Sequence, residues 1–118
     1  PDIYVLDSTK EIEYLLDKQD LLLTSHFNTP ELSDVENPDL GMMRFGSFNL
    51  GFFAVKNSIN GKAFLNWWND KCLDQCFFET QFGISTDQKW VSIANAFFDF
   101  LYIIIYSISL YKKECIKL

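Results

Sequence analysis

The chain has 118 residues, of which 48% are hydrophobic and 17% aromatic, so it holds at most one domain and has enough apolar side chains for a packed core. Its formal net charge of −6 provides no basic face for a nucleic-acid backbone or for anionic lipid. This excludes anionic partners that would bind only through positive charge on the chain. The three cysteines form no CxxC pair and accompany a single histidine, so they indicate neither a disulfide framework nor a zinc site and favour a reducing cytoplasm.

The N-terminal part of the chain predicts a strand, a helix and a second strand. Residues Ile3–Leu6 are β-branched and aromatic, which is typical of a buried strand. Ser8 and Glu11 have the spacing of a capping box and predict a helix that continues to Lys18. The apolar side chains of this helix recur at helical spacing and are Ile12, Leu15 and Leu16. With a second strand over Leu21–Thr24, this alternation predicts an α/β layer on a parallel or mixed sheet.

Residues 25–47 predict a long surface excursion, because they contain four proline or glycine residues and four acidic residues. Asn37 followed by Pro38 has the pattern of an N-cap and a first helical position, so we expect a short helix through Met43 inside this segment. A loop of this length in a compact domain is either functional or a solvated connection, and the sequence leaves both interpretations open.

Residues Phe48–Val55 predict a strand, and the segment after it predicts a helix. Gly51 inside the strand indicates either a β-bulge or a place where a ligand approaches the backbone. Asn57 or Ser58 can cap the helix, whose apolar side chains recur every three or four positions and so predict a core-facing stripe. The stripe consists of Phe64, Leu65, Trp67, Trp68, Cys72 and Leu73.

Two residue pairs in this helix have more than one interpretation. Trp67 and Trp68 could stack on a sugar or a base, but their helical spacing favours a place in the core. Cys72 and Cys76 lie one helical turn apart, and we interpret them as small buried residues.

Residues Gln88–Phe98 predict a second amphipathic helix, with Asp87 near its N-terminal end. A carboxylate at this position is stabilised by free backbone N–H groups, so a cap or first-turn acid is one interpretation of Asp87. A role in a functional site is the other interpretation, and it depends on the neighbouring motifs.

The last twenty residues have a different composition. The run Phe100–Tyr111 has twelve residues and is too short to cross a bilayer of about 30 Å, which takes about 20 helical residues. We expect an edge strand or a short hydrophobic helix there. This change in composition divides the chain into a domain over residues 1–98 and an apolar tail over residues 99–118.

Three strings follow one another in the order Asn49-Leu50-Gly51-Phe52, Trp67-Trp68 and Asp87-Gln88-Lys89-Trp90. This ordered set resembles a bacterial family of sugar-nucleotide-dependent glycosyltransferases of the GT-A type, and the resemblance extends from Pro1 to about Phe98. It implies an α/β fold that is part of a GT-A domain, with a mixed sheet flanked by helices. The implied activity is transfer of a sugar from a nucleotide-sugar donor to an acceptor.

The resemblance also implies a metal ligand. The chain opens with Pro1-Asp2 directly before a predicted strand, which is similar to the end of an Asp-x-Asp motif. Such a carboxylate pair holds a hard divalent cation on the donor diphosphate, so Asp2 is expected to bind Mn²⁺ or Mg²⁺. Because the first residue is Pro1 and not Met, we expect the partner carboxylate in residues upstream.

The remaining site residues follow from the same resemblance. Asn49 and Gly51 are expected to bind substrate by lining the donor-sugar pocket, and Asp87 and Gln88 are expected to be catalytic residues facing the sugar from the other side. His26 follows the strand over Leu21–Thr24, so it is expected to contact the phosphates or the acceptor, or to be a hydrogen-bonded structural residue.

The implied partners are a nucleotide-sugar donor and an unknown acceptor, either a glycan or a lipid-linked molecule, with neither nucleic acid nor a transmembrane segment. The expected location is the cytoplasm or the inner face of the membrane. Since the resemblance covers part of a domain, the chain is expected to be inactive alone and to self-associate through an uncovered sheet edge. The alternatives are a truncated or degenerate remnant without catalysis, and a small module that binds carbohydrate or protein.

Overall fold

The computed structural model describes residues 8–27, 30, 38–98 and 101–104. In chain order the elements are α1 (Lys10–Lys18), β1 (Leu21–Ser25), α2 (Pro38–Phe45), β2 (Phe48–Val55), α3 (Ile59–Gln75), β3 (Phe78–Glu79), a 3₁₀ turn (Thr80–Phe82), β4 (Ile84–Ser85), α4 (Thr86–Ser92), a second 3₁₀ turn (Ala94–Ala96) and β5 (Leu101–Ile104). The described part of the chain is therefore mixed α/β. The strand predicted at Ile3–Leu6 lies outside it.

The strand β1 is the centre of a three-stranded sheet with the order β2-β1-β5. It pairs with β2 antiparallel and with β5 parallel, so the sheet is mixed. A second sheet is formed by the short antiparallel strands β3 and β4. The strand β5 confirms that Leu101–Ile104 of the predicted apolar run form a strand rather than a helix. That it is an edge strand stays a prediction. Residues 105–118 lie outside the described part.

Three consecutive leucines of β1 are completely buried and divide the core into two clusters. Successive side chains of a strand point to opposite faces of the sheet. Leu21 and Leu23 lie in one cluster, whose other buried members are Phe48, Phe64, Val91 and Ala94. Leu22 lies in the other cluster with Ile12 of α1. Leu15 and Leu16 pack against that second cluster, which confirms the apolar stripe predicted for α1.

An aromatic layer from α3 covers the first cluster. The Phe64 ring is fully buried and stacks on the Trp68 indole with centroids 5.8 Å apart. The Trp68 ring also meets Phe53 edge to face at 5.3 Å, and Trp67 meets Phe98 at 5.6 Å. Both tryptophans therefore pack against the core, as predicted, although each stays half-buried.

The first turn of α3 is fixed by local polar contacts. Ser58 is the N-cap, and its hydroxyl oxygen accepts a hydrogen bond from the Gly61 N–H at 3.0 Å. The Asn60 amide donates to the Asp20 carboxylate at 3.1 Å. Hydrogen bonds from the side chains of Ser58 and Asn60 lower the pKa of Asp20. Gly61 has no room for a side chain, because a Cβ there would lie 2.2 Å from the carbonyl oxygen of Lys56.

Two expectations about helix boundaries are wrong. The N-cap of α1 is Thr9 rather than Ser8, whose hydroxyl oxygen accepts from the Lys10 N–H at 3.2 Å. The helix predicted over Gln88–Phe98 ends as an α-helix at Ser92. After Ser92 most of the backbone bonds connect residues three apart, as in the 3₁₀ turn over Ala94–Ala96, and this tighter winding breaks the 3.6-residue spacing. As a result Ile93 and Phe97, two apolar residues of the predicted amphipathic helix, are exposed.

The predicted burial of the end of α3 is also wrong. Cys76 is exposed and Cys72 is half-buried, while Leu73 is 73% exposed. The last turn of α3 contributes no side chain to either buried cluster. Cys72 and Leu73 do lie on α3 as predicted, but neither belongs to a core cluster.

Candidate functional site

The two adjacent residues predicted to be catalytic lie in the first turn of α4. Thr86, the residue before them, has φ 45°, which is a strained conformation for a β-branched residue. Its N–H donates to the carbonyl oxygen of Phe77 at 2.8 Å. The indole N–H of Trp68 donates to the carbonyl oxygen of Asp87 at 3.1 Å. These two bonds hold the start of α4 in place from both sides.

Gln88 contacts His26, which is 62 residues away along the chain. The Gln88 amide nitrogen lies 2.8 Å from Nε2 of the imidazole, and it also donates to the carbonyl oxygen of Phe45 at 3.4 Å. A carbonyl oxygen can only accept a hydrogen bond. The atom of the Gln88 amide that faces the Phe45 carbonyl must therefore be the nitrogen, which donates. Nε2 of His26 then accepts, and the Gln88 amide oxygen has no partner among the residues that the structure describes.

The end of α2 holds α4 in the position that makes this contact. The carbonyl groups of the last turn of a helix lack hydrogen-bond donors within the helix. For two of these carbonyl groups in α2, side chains of α4 are the donors. Gln88 bonds the carbonyl oxygen of Phe45, and the Lys89 ammonium bonds that of Met43. In addition, the Ser92 hydroxyl accepts from the Ser47 N–H at 2.9 Å.

The turn between α2 and β2 is closely packed against α4. Gly46 is buried and has φ 116°, a conformation that favours glycine. A Cβ at this position would lie 2.9 Å from the Ser92 hydroxyl oxygen and 3.1 Å from the Gln88 carbonyl oxygen. The backbone of this turn therefore lies directly against the helix that carries Gln88.

His26 and Gln88 line a cleft of about 360 Å³ between the end of β1 and α2. Phe27, Met42 and Phe45 supply apolar walls. A cleft with mostly apolar walls and a few converging polar groups is typical of a small-molecule site. His26 therefore lies at a strand end beside another predicted site residue.

Asp87 lies on a different side of α4 from Gln88. It lines a second cleft, of about 580 Å³, together with side chains of α3 that include Trp68, Cys72 and Cys76. Burial is the largest of the causes that raise the pKa of the Cys72 thiol to about 11, and the nearby Cys76 thiol and Asp87 carboxylate contribute to the same rise. The two residues predicted to act together thus belong to two clefts separated by the helix α4.

The predicted sugar-binding residues lie on β2. Asn49 pairs with Thr24, and its side-chain oxygen accepts from the Gly51 N–H at 2.9 Å. The pairing register shifts between Leu23 and Thr24, because three residues of β2 separate the partners Asn49 and Phe53. Gly51 therefore lies in an irregularity of the strand, which was one of its two interpretations. Asn49 and His26 are both at the end of the sheet where β1 finishes.

The predicted metal ligand, Asp2, lies outside the described residues. Among the residues that are described, no three His, Cys, Asp or Glu side chains come together as a group that could hold a metal ion. The binding of Mn²⁺ or Mg²⁺ stays a prediction, and no step below passes through a metal.

Several residues that shape these clefts were missed by the sequence reasoning. Phe45 and Ser92 position α4, and Asn66 and Asn69 line the second cleft. Met42 and Phe45 belonged to a segment interpreted only as a surface excursion with a short helix. Asn66 and Asn69 could have been singled out from the sequence. Polar residues three apart share one face of a helix, and these two flank Trp67 and Trp68.

Comparison with known proteins gives one relative. The chain is similar to "Uncharacterized protein YfnF" of Bacillus subtilis (strain 168), with 23% identity over 94 residues, which make up 80% of this chain and 29% of that protein. The chain thus spans less than a third of the length of this relative. No family model and no solved structure matches this chain. In the described part of the chain, no helix has both the length and the apolar character needed to cross a membrane.

Proposed function

We propose that the chain is part of the catalytic domain of a GT-A-type glycosyltransferase, which transfers a sugar from a nucleotide-sugar donor to a glycan or lipid-linked acceptor. The observation that supports this most is the contact between His26 and Gln88 at 2.8 Å. These residues come from separate predicted site segments, and the fold brings them into one cleft at the end of the central sheet. In open α/β sheets, ligands bind at strand ends.

Gln88 is suited to act on the reacting carbon of the sugar. Its amide nitrogen is held by His26 and by the carbonyl oxygen of Phe45, which leaves the amide oxygen for a ligand. Positive charge develops at the anomeric carbon as a glycosidic bond breaks. An amide oxygen fixed beside that carbon stabilises the charge without having to reorient during the reaction.

The other predicted residues have supporting roles in this proposal. Asn49 and Gly51 lie on β2, which pairs with β1, and in this proposal they contribute amide and backbone groups to sugar binding. Asp87 stays a predicted catalytic residue. If Asp2 binds Mn²⁺ or Mg²⁺, as the resemblance implies, the metal would neutralise charge on the donor diphosphate.

Carbohydrate binding without catalysis is the second candidate function, and the aromatic and amide side chains around α3 favour it. A small carbohydrate-binding module would use these groups without any chemical reaction. A degenerate remnant of the catalytic domain would bind neither donor nor sugar. The presence or absence of nucleotide-sugar turnover separates these alternatives from the proposed enzyme.

The test uses the protein encoded by the complete reading frame that contains this chain. Release of UDP or GDP from UDP-glucose, UDP-galactose and GDP-mannose is measured with Mn²⁺ or Mg²⁺ and again with a chelator. We expect metal-dependent turnover that falls about a hundredfold in Gln88→Leu, because one preorganised stabilising group is lost.

Gln81→Leu is the matched control, since Gln81 is an exposed glutamine outside both clefts. It should leave turnover unchanged. Equal turnover in Gln88→Leu and the wild type would remove Gln88 from the site. Absence of turnover with every donor would refute the enzyme.

A further inference from the structure

We propose that the cleft between α3 and the start of α4 binds a neutral pyranose sugar, with Asp87, Asn66 and Asn69 contacting its hydroxyl groups and Trp68 contacting its ring. This cleft, named the α3–α4 cleft, is separate from the one that contains His26 and Gln88. The inference goes beyond the proposed function: α4 separates the two clefts, so a sugar bound in the α3–α4 cleft is not the acceptor that reacts beside Gln88.

The polar groups of the α3–α4 cleft are available for a ligand. Asn66, Asn69 and Asp87 all line it, and their side chains make no hydrogen bond or ion pair with any residue in the described part of the chain. A carboxylate accepts hydrogen bonds and an amide both donates and accepts. Together these groups match the hydroxyl groups of a sugar, each of which donates and accepts.

Asp87 is held in place by its backbone. The strained Thr86 precedes it, and the Trp68 indole N–H is bonded to its carbonyl oxygen. Strained conformations persist where surrounding contacts impose them, and they concentrate at functional sites. The carboxylate lies close enough to Cys72 to raise the pKa of that thiol, which places it on the α3 side of the helix.

Trp68 provides the apolar surface that a sugar ring needs. Its indole stacks on Phe64 and meets Phe53 edge to face, and the same side chain lines the cleft. These contacts, with the bond to Asp87, fix the ring orientation. A rigid aromatic wall beside hydrogen-bonding groups is suited to a pyranose, which has C–H bonds on its faces and hydroxyl groups around its edge.

The charge of the α3–α4 cleft favours a neutral ligand. Asp87 is the charged residue among the described residues that line it, and no lysine, arginine or histidine is among them. A phosphate or nucleotide would be repelled by this carboxylate, whereas a neutral sugar would not. The volume of about 580 Å³ lies in the range of small-molecule sites.

Two cysteines in the cleft allow binding to be measured without enzyme activity. Cys76 is exposed and lines the cleft, so a bound sugar should shield it from iodoacetamide. The experiment uses the full chain with Cys115→Ser, and mass spectrometry follows alkylation of Cys76. The probes are methyl α-D-glucopyranoside, methyl β-D-galactopyranoside and the methyl β-glycoside of N-acetylglucosamine, with sorbitol as an acyclic control.

We expect at least one glycoside to slow Cys76 alkylation, by about tenfold at a concentration ten times its dissociation constant, while sorbitol has no effect. Asp87→Asn should raise that dissociation constant about tenfold or more, because hydrogen bonds to a charged group are lost. Asn69→Ala should weaken protection less. Asp70→Asn and Asn95→Ala are matched controls outside the cleft and should leave protection unchanged.

Lack of protection by every glycoside, equal protection by sorbitol, or unchanged protection in both Asp87→Asn and Asn69→Ala would overturn the inference. Failure of the proposed function gives a different result. If no nucleotide sugar is turned over but a glycoside protects Cys76, the cleft is a carbohydrate-binding site without transfer. If turnover depends on Gln88 but no glycoside protects Cys76, the inference about the cleft fails alone.

Discussion

In the described part of the chain, the two faces of the central sheet differ in how many buried side chains pack against them. On one face, α3 and α4 bury a cluster around Phe64 that includes a layer of aromatic rings. On the other face, α1 buries Leu22 and Ile12, with partly exposed neighbours. Both candidate clefts are lined by residues of α4, the helix that contributes Val91 to this first cluster. The more heavily packed face thus carries the residues whose positions matter for binding.

Phe64→Ala is expected to have the largest effect on stability. Removing a completely buried ring from the aromatic layer should lower the free energy of unfolding by about 3–5 kcal/mol. Ile12→Ala on the α1 face should cost near the lower end of about 2–5 kcal/mol, since Ile12 is 9% exposed. Denaturant unfolding of both variants measures the difference.

Leu73→Ala is the control, because this residue lies on the same helix and is 73% exposed. It should change stability by less than about 0.5 kcal/mol. If Phe64→Ala cost no more than Ile12→Ala, the two faces would be equally important for stability and the comparison would fail.

Gly61→Ala is expected to have an intermediate effect. The new Cβ would lie 2.2 Å from the Lys56 carbonyl oxygen, so the start of α3 must move away from the end of β2. Such overpacking costs about 1–3 kcal/mol. Gly41→Ala in α2 meets no atom within 4 Å and should stabilise by up to about 1 kcal/mol. Thermal unfolding would contradict this if both variants shifted the midpoint in the same direction.

The smallest expected effect is the contribution of Asp20 to the pH dependence of stability. Its pKa is lowered in the folded chain by hydrogen bonds from Ser58 and Asn60, so the carboxylate stabilises the fold above its ordinary pKa of about 4. That stability is lost as the pH falls through the lowered folded pKa.

Asp20→Asn should therefore be less stable than the wild type at pH 7, and the difference should shrink as the pH is lowered below about 4. Denaturant midpoints at several pH values measure this convergence. Asp70→Asn, on an exposed part of α3, is the control and should show no such trend. A constant difference between Asp20→Asn and the wild type at all pH values would rule out the linkage.

Local patterns in the sequence predicted most of the secondary structure. The strands β1 and β2, the Ser58 cap and the helix beginning at Pro38 follow from side-chain alternation, capping chemistry and the fixed φ of proline. The end of α4 was missed, because the change to 3₁₀ winding after Ser92 leaves the spacing of apolar residues intact in the sequence. The exposure of Cys76 was missed because spacing cannot show which turns of a helix pack against the core.

The candidate sites depend on contacts between distant segments. His26 and Gln88 could each be singled out, one by its place after a strand and the other by its motif. Their contact depends on how α2 and α4 pack, which no local pattern specifies. The same packing places Asp87 and Gln88 on different sides of α4, although their adjacency in the sequence suggested a common target.

The close packing of Gly46 also has an evolutionary consequence. Any other amino acid there would need an unfavourable backbone conformation and would push against Ser92 and the Gln88 backbone. The glycine contacts no ligand in the proposed mechanism, yet selection for the Gln88 position would act on it. In a collection of related sequences, position 46 should therefore vary as little as the residues of the cleft itself, and its loss would mark lineages that have abandoned the site.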